Sequence, residues 1–116
     1  MEPAFKDYVA RSNSVVAAHA ISRALADRAS LADASKLLDY LDLVCGGEKV
    51  ARDIARDGLI IIIQAHGGSL EQLETVTVSA YVKWLSEFVI ERAARGRAPN
   101  PDRGHTLLVE LRKTVT

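Results

Sequence analysis

The stretch GLIIIIQAHGG, residues 58–68, decides the fold class, because it contains four consecutive isoleucines, Ile60–Ile63. β-Branched residues favour strands, so a buried strand is one interpretation of this stretch. Counting at 100° per residue from Glu48, however, gives one continuous apolar face that passes through the isoleucines. Two glycines then follow, as is typical of a helix C-terminus. The pattern favours a single helix over about residues 48–66, and the strand stays open as the alternative.

The two faces of this expected helix differ in character along its length. One face is apolar throughout and carries Val50, Ala51, Ile54, Ala55, Gly58, Ile61, Ile62 and Ala65. The opposite face is charged in its first half and apolar in its second half, where Leu59, Ile60 and Ile63 lie. A helix that is apolar on every side is buried on every side. We therefore expect the second half to be covered by its own domain or by a second molecule.

Other segments also have helical periodicity. The strongest amphipathic pattern lies in residues 78–96, and another segment ends at the glycine pair Gly46–Gly47. The capping residues Ser12–Ser14 predict a bend or a restart in the first helical segment. Residues 69–75 predict a further short helix. These patterns indicate an all-α protein, a compact bundle of about five helices.

The C-terminal residues are ambiguous. Leu107, Val109 and Leu111 alternate as in a strand, whereas Leu108, Leu111 and Val115 suit a helix. Because threonine and valine dominate the end of the chain, we expect an extended C-terminal arm. The predicted division is a helical bundle domain over residues 1–98, followed by a loop and the C-terminal arm over residues 99–116.

Composition excludes several classes of protein. The chain has 116 residues, of which 48% are hydrophobic and 26% charged, and 15 basic residues balance 15 acidic ones. A chain of this length can bury a core without a metal or a disulfide, and its zero net charge creates no overall basic field. The single cysteine and the absence of a signal-peptide pattern or a long apolar run predict a cytoplasmic protein without a membrane partner.

No pattern in the chain indicates catalysis or a cofactor. The three histidines, His19, His66 and His105, are dispersed, and no paired cysteine, phosphate-binding loop or nucleophile motif is present. Cys45 falls at the electronegative end of a predicted helix, where a thiolate is not stabilised. We therefore expect a protein that is not an enzyme and that binds no cofactor or metal ion.

Basic residues form two groups that could contact a phosphate backbone. One group is a stripe on the helix over residues 48–66, and the other surrounds the end of the next long helix and the loop after it. These candidate nucleic-acid-binding residues are Lys49, Arg52, Arg56, Arg92, Arg95, Arg97 and Arg103. The alternative interpretation is a solvated face whose charges are balanced by Asp53, Asp57 and Glu91.

Two stretches of the chain resemble a known family. ARDGLIIII carries Gly58-Leu59 inside an apolar helix, and AYVKWLSEFV carries Trp84-Leu85 in a late amphipathic helix. Both patterns resemble the small helical subunits of CRISPR effector complexes. The resemblance implies an all-helical, non-catalytic protein that stacks beside copies of itself. It also implies a nucleic-acid groove lined by basic residues, here Lys49, Arg52, Arg56, Arg92 and Arg95.

The predicted function is that of a non-enzymatic small helical subunit that acts by assembly into a larger complex, with RNA or DNA as a ligand left open. The alternative is a small phage or plasmid protein that binds and regulates or inhibits another protein. A small helical enzyme is the third class, which the sequence disfavours. Apolar residues beyond the main helical faces are the predicted contacts with a second copy or another subunit: Leu59, Ile60, Ile63, Ile90 and Leu111.

Overall fold

The computed structural model describes residues 3–26, 34–46, 48–68, 76–95 and 101–115. These residues form five α-helices and no strand. The helices are α1 (Pro3–Ala26), α2 (Ala34–Cys45), α3 (Lys49–Gly68), α4 (Val76–Arg95) and α5 (Asp102–Val115). The all-α prediction is therefore confirmed for the described part of the chain. The short helix predicted over residues 69–75 lies outside it.

The isoleucine run is helical, as the continuous apolar face predicted. The buried face of α3 is nevertheless rotated towards Leu59, because Ala51, Ala55, Leu59 and Ile62 are the residues most completely buried. Val50, which the sequence placed on the apolar face, is 69% exposed. The rotation arises because α2, α4 and α5 all pack against α3, so the covered arc is set by three neighbours.

Helix α4 lies at the centre of the fold, since it packs against each of the other four helices. It buries Val78, Tyr81, Leu85, Phe88, Val89 and Ala93. The Cα positions span 49 × 28 × 17 Å. Helices pack with their axes about 8–10 Å apart, so the smallest dimension corresponds to two layers of helices. A thin bundle of this kind leaves a large part of each helix at the surface.

Two glycines let aromatic residues of α4 approach the neighbouring helices. Gly58 of α3 lies directly against the Tyr81 ring, and Gly104 of α5 lies directly against the Trp84 indole. A methyl group at either glycine would collide with the ring. The Tyr81 hydroxyl donates to the Ile54 carbonyl at 2.9 Å, and the Ala55 carbonyl lies at 3.2 Å. Gly58 and Trp84 belong to the two stretches that resemble the CRISPR small subunits. Both residues thus have a packing role within this chain.

The C-terminal segment is a helix, so the prediction of an extended arm is wrong. Helix α5 packs against α3 and α4 and buries Leu107, Leu108 and Leu111, which follow helical spacing. The threonines that suggested a strand are accommodated, because the Thr106 and Thr114 hydroxyls bond to carbonyls four residues earlier. Tertiary burial of the leucines outweighs the weak β-preference of threonine and valine. The charge pattern agrees, with an acidic residue in the first turn and basic residues in the last.

Two further boundaries can be compared with the sequence. Helix α1 continues without interruption through Ser12–Ser14, so no restart occurs there. Helix α2 ends as predicted, because Gly46 adopts a φ of +23° and its N–H donates to the Asp42 carbonyl at 3.0 Å. A positive φ is readily adopted by glycine.

Candidate interaction surface

The basic stripe on α3 is matched by carboxylates. Lys49 and Arg52 both lie 3.7 Å from Asp53, and Arg56 lies 3.6 Å from Asp42 of α2. Their side chains remain partly exposed, so each pair is a surface ion pair of small net strength. The structure therefore gives this stripe a mixed charge, with Asp53 and Asp42 as its carboxylates.

Arg92 has a different environment from the stripe. Its side chain is 15% exposed, and its Nε atom lies 3.1 Å from the carboxylate of Glu48, the residue immediately before α3. The N–H direction does not meet hydrogen-bond geometry, so this contact is an ion pair without a hydrogen bond. The pair connects the end of α4 to the turn between α2 and α3. Arg92 thus forms an ion pair within the chain.

Cys45 lies beside the Arg92–Glu48 pair and is completely buried. Burial raises the pKa of its thiol from 9.0 to about 11, and the Arg92 charge opposes this rise only in part. A thiol of this pKa stays protonated and weakly nucleophilic at neutral pH. The Arg52 charge also lowers the pKa of this thiol, so charges from both basic groups act on Cys45. The sequence had placed these two arginines in separate groups.

The remaining basic candidates are less constrained. Arg95 lies 3.2 Å from Glu91, one turn earlier on α4, and both side chains are largely exposed. Arg103 is exposed in the first turn of α5. Arg97 lies outside the described residues. The α3 stripe and the end of α4 together therefore present cations interleaved with carboxylates instead of a continuous basic surface.

The predicted interface residues separate into two sets. Leu59 and Leu111 are fully buried in the core, so the chain itself covers them. Ile60, Ile63 and Ile90 are partly buried. Ile63 and Ile90 pack against the edge of the core cluster and keep some exposed surface. These three isoleucines are the predicted contacts that a second molecule could still reach.

Ile90 lines a groove of about 450 Å³ between α1 and α4. Ser22 is the α1 residue of the groove, and the α4 lining follows one side of the helix over about three turns. That lining includes Ser86, Glu87, Ile90, Glu91 and Arg95. The groove is open along its length. Its floor is apolar and its rim is polar, which is the usual character of a protein–protein contact site.

Among the residues that the structure describes, Tyr81 and Cys45 are the buried side chains that carry a polar atom, and no group of three histidine, cysteine or carboxylate side chains could hold a metal ion. None of the described helices is both long enough and apolar enough to cross a membrane.

The groove and the glycine contacts were not predicted from the sequence. A signal existed for Gly58, because glycine inside a helix costs about 1 kcal/mol relative to alanine and usually indicates a close approach. No comparable signal existed for the groove. Its two walls, Ser22 and the Ser86–Arg95 stretch, are distant in sequence and ordinary in composition.

Comparison of the chain with protein-family models, with curated proteins and with solved structures found no match.

Proposed function

We propose that this chain is a non-enzymatic helical subunit that acts by binding another protein chain, and that the α1–α4 groove is its docking site. The observation that carries the proposal is the apolar floor of the groove around Ile90, flanked by polar side chains and open along three turns of α4. An enclosed cavity is typical of a small-molecule site, whereas an open groove along a helix suits a protein segment.

The charge distribution favours a protein partner over nucleic acid. Four of the predicted phosphate contacts, Lys49, Arg52, Arg56 and Arg95, each lie within 4 Å of a carboxylate on the surface. A phosphate would have to displace these carboxylates or tolerate their negative charge. Binding of RNA or DNA, as the resemblance to CRISPR small subunits implies, is therefore the weaker hypothesis.

Site-specific photo-crosslinking tests the proposal. A photoreactive phenylalanine derivative is placed at Ala94, an exposed residue of the groove, in cells that naturally produce this chain. The matched control places it at Asp39, an exposed residue of α2 outside the groove. We expect a discrete protein adduct from position 94, none from position 39, and loss of the adduct in Ile90→Asp.

The outcomes separate the hypotheses. An adduct of twice the 12.6 kDa chain mass indicates self-association, and another mass indicates a second protein. An adduct that disappears after nuclease treatment favours the nucleic-acid hypothesis instead. If position 94 gives no adduct beyond that from position 39, the groove is not a docking site and the proposal fails.

A further inference from the structure

We infer that the occupant of the α1–α4 groove is a basic amphipathic helix of the partner, with apolar residues towards Ile90 and lysine or arginine residues along one edge. This inference rests on the proposed function, because it specifies the chemistry of the segment that docks there. It follows from the shape of the groove, its apolar floor and the charges along its rim.

The floor of the groove fits the apolar stripe of a helix. Ile90 and Ala94 are four residues apart, so they lie on the same side of α4 and form a continuous apolar strip. The lining runs from Ser86 to Arg95, ten residues that span about 13.5 Å along the helix axis. A partner helix of two to three turns would cover this length with apolar residues at i, i+3 or i+4, and i+7.

The rim of the groove carries the charge that selects the partner. Glu87 and Glu91 lie four residues apart along the same edge of α4, and Arg95 is the cation of the lining. Arg95 is ion-paired with Glu91, whereas Glu87 forms no ion pair within the described residues. Two carboxylates against one guanidinium give the lining of the groove a net negative charge, and the exposed Lys83, one turn before Glu87, lies outside this lining. An exposed carboxylate beside an apolar floor attracts a partner cation and disfavours an acidic helix.

A display library tests this inference with defined probes. Peptides on a stable helical scaffold, with randomised exposed positions, are selected on the full-length chain at low ionic strength. Binders that also recognise Ile90→Asp are discarded, so that the remaining binders depend on the groove. We expect the selected sequences to combine leucine or isoleucine at helical spacing with an excess of lysine and arginine along one edge.

Charge reversal sharpens the test. The variant Glu87→Lys with Glu91→Lys should bind a selected basic peptide about tenfold more weakly, because two exposed ion pairs are lost. The matched control reverses two exposed carboxylates outside the groove, Asp39→Lys with Glu110→Lys, and should change the affinity less than twofold. Circular dichroism on both variants verifies that the helical fold is intact.

Each result has a definite meaning. Groove-dependent peptides without basic enrichment, or a charge reversal that leaves their affinity unchanged, would overturn the inference about charge while leaving the docking proposal intact. Failure to obtain groove-dependent peptides would also overturn the inference, and only together with a negative crosslinking result would it remove the docking proposal. The inference is supported if the selected peptides are enriched in basic residues, bind the charge-reversal variant more weakly and bind the control variant with unchanged affinity.

Discussion

The two sides of α4 use their apolar residues differently. On one side Tyr81, Trp84 and Phe88 form a connected aromatic group. The Tyr81 and Trp84 ring centres are 5.6 Å apart, and those of Trp84 and Phe88 are 5.0 Å apart. Glycines on α3 and α5 allow the helices to approach these rings closely. On the other side Ile90 and Ala94 lie in an open groove with charged neighbours.

Under the proposed function, one helix of this small bundle serves both folding and binding. The aromatic side of α4 gains stability from close contact and has no room for an added atom at Gly58. The groove side has room, and its Glu91–Arg95 ion pair lies in water, where its net strength is small. Changes on the aromatic side should therefore alter stability strongly, whereas changes on the groove side should alter binding with little effect on stability.

The largest effect is expected from Gly58→Ala. The added methyl group collides with the Tyr81 ring, which is fully buried and cannot move without breaking its hydrogen bond to Ile54. Overpacking and the lost hydrogen bond outweigh the gain in helix propensity, so the unfolding free energy should fall by about 2–4 kcal/mol. Urea denaturation measures this change. Gln64→Ala, an exposed site on the same helix, is the control and should stay within about 0.5 kcal/mol.

The next effect concerns pH and the buried core beside α4. Burial keeps Cys45 protonated in the folded protein to about pH 11, whereas the unfolded thiol ionises near pH 9. Its contribution to stability is complete below pH 9 and is lost as the pH rises to about 11. The loss should amount to about 2–3 kcal/mol. The unfolding free energies of the wild type and of Cys45→Ala, measured between pH 8 and 11, isolate the contribution of the thiol. If the two free energies change equally with pH, the assigned burial of Cys45 is contradicted.

A smaller effect is expected from Gly104→Ala. The new methyl group meets the Trp84 indole, but this ring is only partly buried and can move outwards. The loss of stability should be about 1–2 kcal/mol, less than for Gly58→Ala. Because Trp84 is the single tryptophan, its fluorescence should also shift to longer wavelength as water reaches the ring. The control is His105→Ala, at an exposed neighbouring residue, which should change neither the stability nor the fluorescence. Equal losses of stability for Gly58→Ala and Gly104→Ala would contradict the difference in burial between Tyr81 and Trp84.

The smallest effects compare two arginines on the same helix. Arg92→Ala should cost about 1 kcal/mol, because its ion pair with Glu48 is largely shielded from water. Arg95→Ala should stay within about 0.5 kcal/mol, because its pair with Glu91 is exposed. Thermal denaturation at low and high salt measures both changes. A larger loss for Arg95→Ala would contradict the distinction between an internal contact at Arg92 and a solvated one at Arg95.

The sequence by itself determined the helical class and several helix boundaries. The apolar face through Ile60–Ile63 repeats at helical spacing, and the pattern over residues 78–96 does the same. The stop at Gly46 was also predictable, because glycine takes a positive φ more easily than other residues. Each of these features depends on a few consecutive residues, so local physics is sufficient to predict it.

Tertiary structure decided which residues are covered and which stay exposed. Leu111 belongs to both the strand-like and the helix-like pattern of the C-terminal residues. The helix forms because α3 and α4 bury Leu111 together with Leu107 and Leu108. Likewise, Leu59 was predicted to contact a partner and lies in the core, while Arg92 was predicted to contact phosphate and pairs with Glu48. The groove around Ile90 exists because α1 and α4 meet there. These outcomes depend on contacts between residues far apart in the chain, which periodicity and composition do not specify.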